Sequence, residues 1–171
     1  YLNDPYSVGI LGWHYQFGIG IGVNLSEANL WYLRGVNLGD NYSKVNLAKN
    51  LSEGIGIEVD KKEAFELVKE AAETGYDLAE AELAFYYLQS IGTPANYEEA
   101  FKYFKLAAEK GNVFAQSYLG WMYAGGRGTE LDYDNGFLWT KKAADQNDIF
   151  AQANLGWHYH NGFGVEQNYD L

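Results

Sequence analysis

The sequence predicts an all-α chain, a solenoid of helix-loop-helix repeats 36 residues long. Three observations predict it. Leu11, Leu47, Leu83, Leu119 and Leu155 stand 36 residues apart, and each opens a variant of one stretch, clearest as Leu119-Gly120-Trp121-Met122-Tyr123. Two columns of helix-capping residues recur in the same register. So do two columns of glycine. A period of this size marks a stack of supersecondary units, because one helix pair cannot bury its own apolar face and must lean on its neighbours.

Each repeat opens at a cap. Asp4, Asp40, Asn112 and Asp148 share a column with Tyr76. Except for Tyr76, their side-chain oxygens can accept an orphan amide of a first helical turn. Asp77 stands ready where Tyr76 interrupts. Pro5 follows Asp4 at a first-turn position where a missing N–H costs nothing. First helices are thus predicted at about 6–17, 42–52, 77–89, 113–124 and 149–160. Ser7, Ser43, Ala79, Ala115 and Ala151 lie four residues before the leucines, and Tyr15, Leu51, Tyr87, Tyr123 and Tyr159 four after. That spacing makes one stripe, which faces the core.

Glycine then ends the first helix. Gly18, Gly54, Gly126 and Gly162 share a column with Ser90, and Gly20, Gly56, Gly92, Gly128 and Gly164 share another without exception. Glycine reaches the left-handed conformations that stop a helix and turn the chain. Asn24, Asp60, Asn96, Asp132 and Asn168 cap the second helices, and Glu27, Glu63 and Glu99 stand where a capping box needs them. Second helices are predicted at about 25–38, 61–73, 97–110 and 133–146, ending at Gly39, Gly75, Gly111 and Asn147. The units run about 4–39, 40–75, 76–111, 112–147 and a partial 148–171, one array over 1–171. Tyr1-Leu2-Asn3 aligns with a second-helix tail and Leu171 follows the last cap, so the chain reads as a fragment of a longer array.

These columns resemble the Sel-one-like repeat of the tetratricopeptide-like superfamily: Leu-Gly-x-x-Tyr, Gly-x-Gly, Asp or Asn before the second helix, Ala71-Ala72, Ala107-Ala108 and Ala143-Ala144, and a terminal glycine. Ala48, Ala84, Leu51, Ser90 and Gly136 depart from the pattern without blocking a helix. The resemblance implies a right-handed superhelix with a concave face lined by first helices. It also implies a scaffold or adaptor role, often in bacterial signalling, envelope or host-interaction settings. A periplasmic or exported location is favoured by the resemblance, and a cytoplasmic one is compatible with it.

Bulk properties bound the partner. Of 171 residues 47% are hydrophobic and 17% aromatic, enough to bury a core. The formal net charge of −11 repels phosphate backbones, which argues against nucleic acid and for a protein or peptide of basic or modest charge. There is no cysteine, hence no thiolate chemistry. No apolar run approaches the ~18 residues of a membrane span. No signal peptide is visible, and Tyr1 in place of methionine is compatible with a leader already removed.

Functional positions are those the fold does not dictate. At about 100° per residue, the column Trp13, Lys49, Phe85, Trp121 and Trp157 points away from the core stripe, as does the column Gln16, Ser52, Leu88, Ala124 and His160. Aromatics dominate interface hot spots. Trp13, Gln16, Lys49, Phe85, Leu88, Trp121, Trp157 and His160 are therefore the candidate partner-binding residues. The competing expectation is that these rings pack on the neighbouring unit, against which Lys49 argues for partial exposure. No catalytic residue, metal site or cofactor site is expected. His14 and His158 stand at opposite ends of the array, and His158 and His160 point to different faces. Gly18-Ile19-Gly20-Ile21-Gly22 follows a helix and lacks the third glycine of a dinucleotide fingerprint. Glu63, Glu66, Glu70 and Glu73 make a solvated face, with Lys62–Glu66 and Lys69–Glu73 spaced to pair, or an acidic docking patch. The leading expectation is a non-enzymatic module that holds a peptide or protein surface in its groove. A cell-envelope hydrolase or its regulator, and a structural spacer, are the alternatives.

Overall fold

The structure, a computed structural model, describes residues 4–168. Among the described residues there are nine α-helices and no strand: α1 Pro5–Phe17, α2 Leu25–Asn37, α3 Asn41–Glu53, α4 Lys61–Glu73, α5 Asp77–Gln89, α6 Tyr97–Glu109, α7 Val113–Gly125, α8 Tyr133–Ala144 and α9 Ile149–Asn161. No boundary departs from the predicted one by more than two residues. The expected tail at Tyr1–Asn3 and any helix after Asn168 lie outside the described residues. No described helix is long and apolar enough to cross a membrane.

The capping columns explain the boundaries. Asp40, Asn112 and Asp148 accept the amides of Ser43, Ala115 and Ala151 at 2.8, 3.0 and 2.7 Å. Asp77 does not replace the missing cap of α5. It falls inside the first turn, and the Glu80 amide bonds the Tyr76 carbonyl at 2.9 Å, so Tyr76 holds the flanking position with its backbone alone. The packing register of Ala79 and Leu83 fixes where α5 starts, whatever residue stands there.

The second-helix caps form only half of the expected capping box. Asn24, Asp60 and Asn96 accept the amides of Glu27, Glu63 and Glu99 at 3.0, 2.9 and 3.1 Å. Their own amides do not turn to the glutamate side chains. They donate to the carbonyls of Tyr15, Leu51 and Tyr87, as Asp132 does to Tyr123 and Asn168 to Tyr159. The end of each first helix has carbonyls without an intrahelical partner. One of them takes the amide a glutamate would have taken, and this bond closes every glycine loop.

The chain divides into two compact units, Tyr1–Glu82 with Ser90–Pro94, and Leu83–Gln89 with Ala95–Leu171. In the first, α1 packs on α2, α2 on α3 and α3 on α4, and α1 also meets α3. Its core holds Val8, Ala28, Tyr32, Leu47, Ala48, Ala64 and Val68, all nearly inaccessible. Ser43 presses so closely on Gly35 that a Cβ there would collide with its hydroxyl. In the second unit α6 packs on α7, α7 on α8 and α8 on α9, and α7 also meets α9. Leu83, Phe104, Ala107, Ala115, Leu119, Met122, Ala143 and Ala151 are its buried side chains. In the interior repeats the small residues and leucines of the expected core stripe are buried and its tyrosines, Tyr87 and Tyr123, half-buried, whereas Ser7 is exposed and has no helix before it among the described residues.

One glycine column never varies because it meets two demands. Gly56, Gly92, Gly128 and Gly164 all have positive φ, between 66° and 71°. A Cβ on each would also collide with the start of the preceding repeat's second helix, at Leu25, Lys61, Tyr97 and Tyr133 respectively. The loop backbone therefore lies directly on that helix.

Candidate functional site

Two members of the residue-13 column meet the next first helix. Lys49 is exposed and pairs with Glu82 at 3.0 Å. Burial pushes the Glu82 carboxyl above its ordinary value, and Lys49 pulls it part of the way back. Phe85 is half-buried and meets Tyr118 edge-on at 5.9 Å. Glu82 and Tyr118 are themselves 36 residues apart, so each contact is the same one in successive repeats. Trp13 is half-buried beside Phe17 at 5.4 Å. Trp121 is half-buried, and Trp157 is 43% exposed. Packing on the next repeat thus holds for Lys49 and Phe85, while Trp157 leaves its surface partly open.

The residue-16 column is corrected. Leu88 is only 9% exposed, not outward. Gln16 is half-buried and donates its amide to Asn50 at 3.3 Å. The reason is visible at Ala124, whose Cβ lies 3.1 Å from where a Cβ on Gly136 would stand. This position backs onto the second helix of its own hairpin. Only His160 of the set is exposed.

Other sequence features are structural. His14 and His158 bond the loop carbonyls of Ile19 and Phe163 through Nδ1, each at 2.7 Å. Among the described residues no group of three histidines or carboxylates could hold a metal. Glu63, Glu66, Glu70 and Glu73 are exposed, but Lys62–Glu66 and Lys69–Glu73 do not pair. Glu70 instead reaches Lys44 of α3 at 3.0 Å. Exposed helical pairs contribute little, so their spacing alone does not hold them together.

Trp121 and Trp157, read separately from the sequence, edge one cavity of about 300 Å³. Arg127, which also lines it, holds its guanidinium carbon 3.8 Å from the centre of the Trp121 ring, with Nη1 donating to the Trp121 carbonyl at 3.5 Å. Thr140 of α8 and Asn154 and His158 of α9 complete the lining. Thr140 is 1% exposed and its hydroxyl has no partner, nor does the Asn154 amide nitrogen. His158 is also buried, and desolvation lowers its pKa. Its Nδ1 faces a carbonyl, so the proton sits on Nδ1 and the ring is neutral.

Sequence reasoning passed over Thr140, Asn154 and Arg127, and placed Ala124 in an outward column without counting it a candidate. A signal was present in the repeat columns. One repeat earlier, Phe104 and Tyr118 stand where Thr140 and Asn154 stand, and Leu88 where Ala124 stands. Phe104 and Tyr118 stack at 5.1 Å with 10° between ring planes. Three large side chains give way to small ones in the next repeat, and the space they filled stays open.

A family model for the Sel1 repeat matches residues 7–40, 42–76, 77–112, 113–148 and 149–171. Among solved structures, a Sel1 repeat protein from Oxalobacter formigenes is 29% identical, with TM-score 0.88 over 98% of this chain and 66% of that one. The protein c5321, a protective antigen of uropathogenic Escherichia coli with an SLR fold, is 32% identical, with TM-score 0.86 over 96% of this chain and 35% of that one. Helicobacter pylori cysteine rich protein B is 17% identical, with TM-score 0.60 over 78% of this chain and 96% of that one. No curated protein matches the sequence. The chain thus spans less than two thirds of the length of the first two structures.

Proposed function

Because the chain belongs to the Sel1 repeat family, whose members generally act as protein–protein interaction scaffolds, we propose that it is a non-catalytic module that captures a peptide segment at its half-open tryptophans. The observation that carries this reading is the pair of half-open tryptophans, Trp121 and Trp157, on one cavity of about 300 Å³. A fold that needed these rings only for packing would bury them. Trp157 instead leaves 43% of its surface to solvent. Partly open indoles beside a desolvated pocket have the character of binding hot spots.

The test is a peptide-display selection against the whole chain, counter-screened with a Trp121→Ala/Trp157→Ala variant. Selected peptides are expected to bind the variant at least about tenfold more weakly, ~1.4 kcal/mol, while its circular dichroism stays helical. Equal binding to both proteins, or a variant that no longer folds, would make the rings core residues and end this reading.

A further inference from the structure

We infer that the apolar pocket beside α2 receives an aromatic side chain from a partner segment that carries positive charge next to it. The inference uses no residue of the tryptophan cavity. The pocket holds about 360 Å³ between α2, α3 and the loop that enters α4, and Leu30, Leu33, Leu47, Leu51 and Ile57 supply its apolar walls. In the second compact unit the same columns carry a pair of rings. Phe101 meets Tyr123 edge-on at 5.0 Å, and one repeat later Phe137 meets Tyr159 at 5.6 Å. At the pocket those columns hold Asn29 and Leu51, whereas every later copy of the pair is Phe and Tyr.

Hydrogen bonding accounts for Asn29 alone. Its Nδ2 donates to the Ile55 carbonyl at 2.8 Å, and its Oδ1 accepts from Asn50 at 2.7 Å. Held at both ends and only 5% exposed, it leaves the leucines to set the chemistry of the space. The rim departs from the pattern as well. Leu30 is 60% exposed and Leu33 45%. At these two positions α4 carries Glu66 and Lys69, α6 carries Lys102 and Lys105, and α8 carries Leu138 and Lys141. Only α2 is apolar at both. Exposed apolar side chains around a concavity mark an interaction site.

Size and charge name the occupant. The volume is near the lower end for ligand sites, room for one large side chain. A ring entering from outside lies against Leu47 and Leu51, which are 2% and 4% exposed and form the floor. Aromatic anchors in such desolvated pockets supply most of the energy of an interface. Glu63 is the single ionisable side chain of the lining, and among the described residues its carboxylate has no partner. In a chain of net charge −11 it favours a cation beside the ring. A second copy of the chain, equally acidic, would meet that charge with its own.

The experiment labels the leucine methyls with ¹³C and titrates the whole chain with three probes: N-acetyl-Lys-Phe-Lys amide, N-acetyl-Lys-Ala-Lys amide and N-acetyl-Gln-Phe-Gln amide. The methyls of Leu47 and Leu51 report, because only a ring seated in the pocket comes to lie over them. At about 0.15 M ionic strength charges beyond about 8 Å are largely screened. There the lysine–phenylalanine probe is expected to shift these methyls and to bind at least about tenfold more tightly than the alanine probe, ~1.4 kcal/mol. It should also bind severalfold more tightly than the glutamine probe, and Glu63→Gln should close that gap. Leu30→Glu/Leu33→Lys, which places the residues of α4 on α2, should weaken binding at least about tenfold while circular dichroism stays helical. Phenylalanine and alanine probes within about twofold of each other, unmoved methyls, or full binding by the leucine variant would overturn the inference. So would methyl shifts that follow protein concentration alone, since a second copy would then fill the pocket. A lysine preference that survives Glu63→Gln would overturn its charge half. Peptides that move the indole resonances of Trp121 and Trp157 but not these methyls would end this inference and leave capture at the tryptophans standing.

Discussion

The carbonyl of residue 19 in a repeat needs a donor, and this chain finds one in different ways. His14 serves Ile19 and His158 serves Phe163. In the second repeat the histidine column holds Asn50, and the donor is Asn29 of the preceding second helix, 2.8 Å from the Ile55 carbonyl. Asn50 then donates to the Asn29 oxygen at 2.7 Å. His158 plays this part from a buried position, as a neutral ring whose pKa burial holds below its ordinary value. The consequence for stability has a definite sign. As pH falls through the ordinary histidine range, near 6.5, the unfolded chain takes up a proton that the folded chain refuses. Stability from His158 is therefore complete above that range and declines as pH falls toward the lower, folded-state value. The urea midpoint of the wild-type chain should fall between about pH 7.5 and about pH 5.5, and should fall less in His158→Asn. Parallel pH dependences for the two proteins would show that His158 is not titrating against the fold.

At the scale of elements, the docking of each glycine loop on the preceding second helix is the contact that repeats most faithfully. Gly128→Ala places a methyl against the Tyr97 carbonyl and also forces alanine to φ 68°. Gly20→Ala demands a similar φ, 74°, but meets nothing within 4 Å. The second change should cost only the left-handed conformation, roughly 1–2 kcal/mol. The first should add an overpacking cost of roughly 1–3 kcal/mol. Chemical denaturation of the two variants measures the difference, and equal losses would mean that the loop is free to lift away. The invariant glycine column was legible in the sequence, as were most of the caps and hence the nine helices of the described residues, because backbone demands recur in every repeat. Asp77 and the glutamate half of the capping boxes were misread because tertiary packing and a free carbonyl at the end of the first helix settled those hydrogen bonds. Leu88 was misplaced for a related reason: a helical wheel drawn from Leu11 ignores the second helix behind position 16. The cavity escaped because it is a difference between repeats. Thr140 and Asn154 are unremarkable residues until they are set against Phe104 and Tyr118.

Across the whole molecule the charge is lopsided, with 23 acidic against 12 basic side chains. That field acts at a distance and favours a partner of positive charge. N-acetyl-Lys-Lys-Ala-Phe and N-acetyl-Glu-Glu-Ala-Phe offer the tryptophans the same aromatic residue and differ only in the charge beside it. At about 0.01 M ionic strength the screening length is about 30 Å, and at about 0.15 M it is about 8 Å. The lysine peptide should bind about tenfold more tightly than the glutamate peptide at the lower salt, ~1.4 kcal/mol, and the gap should narrow severalfold at the higher. A titration of the ¹⁵N-labelled chain followed at its indole N–H resonances measures both. A gap that ignores salt would mean that the flanking residues make fixed contacts of their own, and the acidic surface would then have no part in choosing the partner.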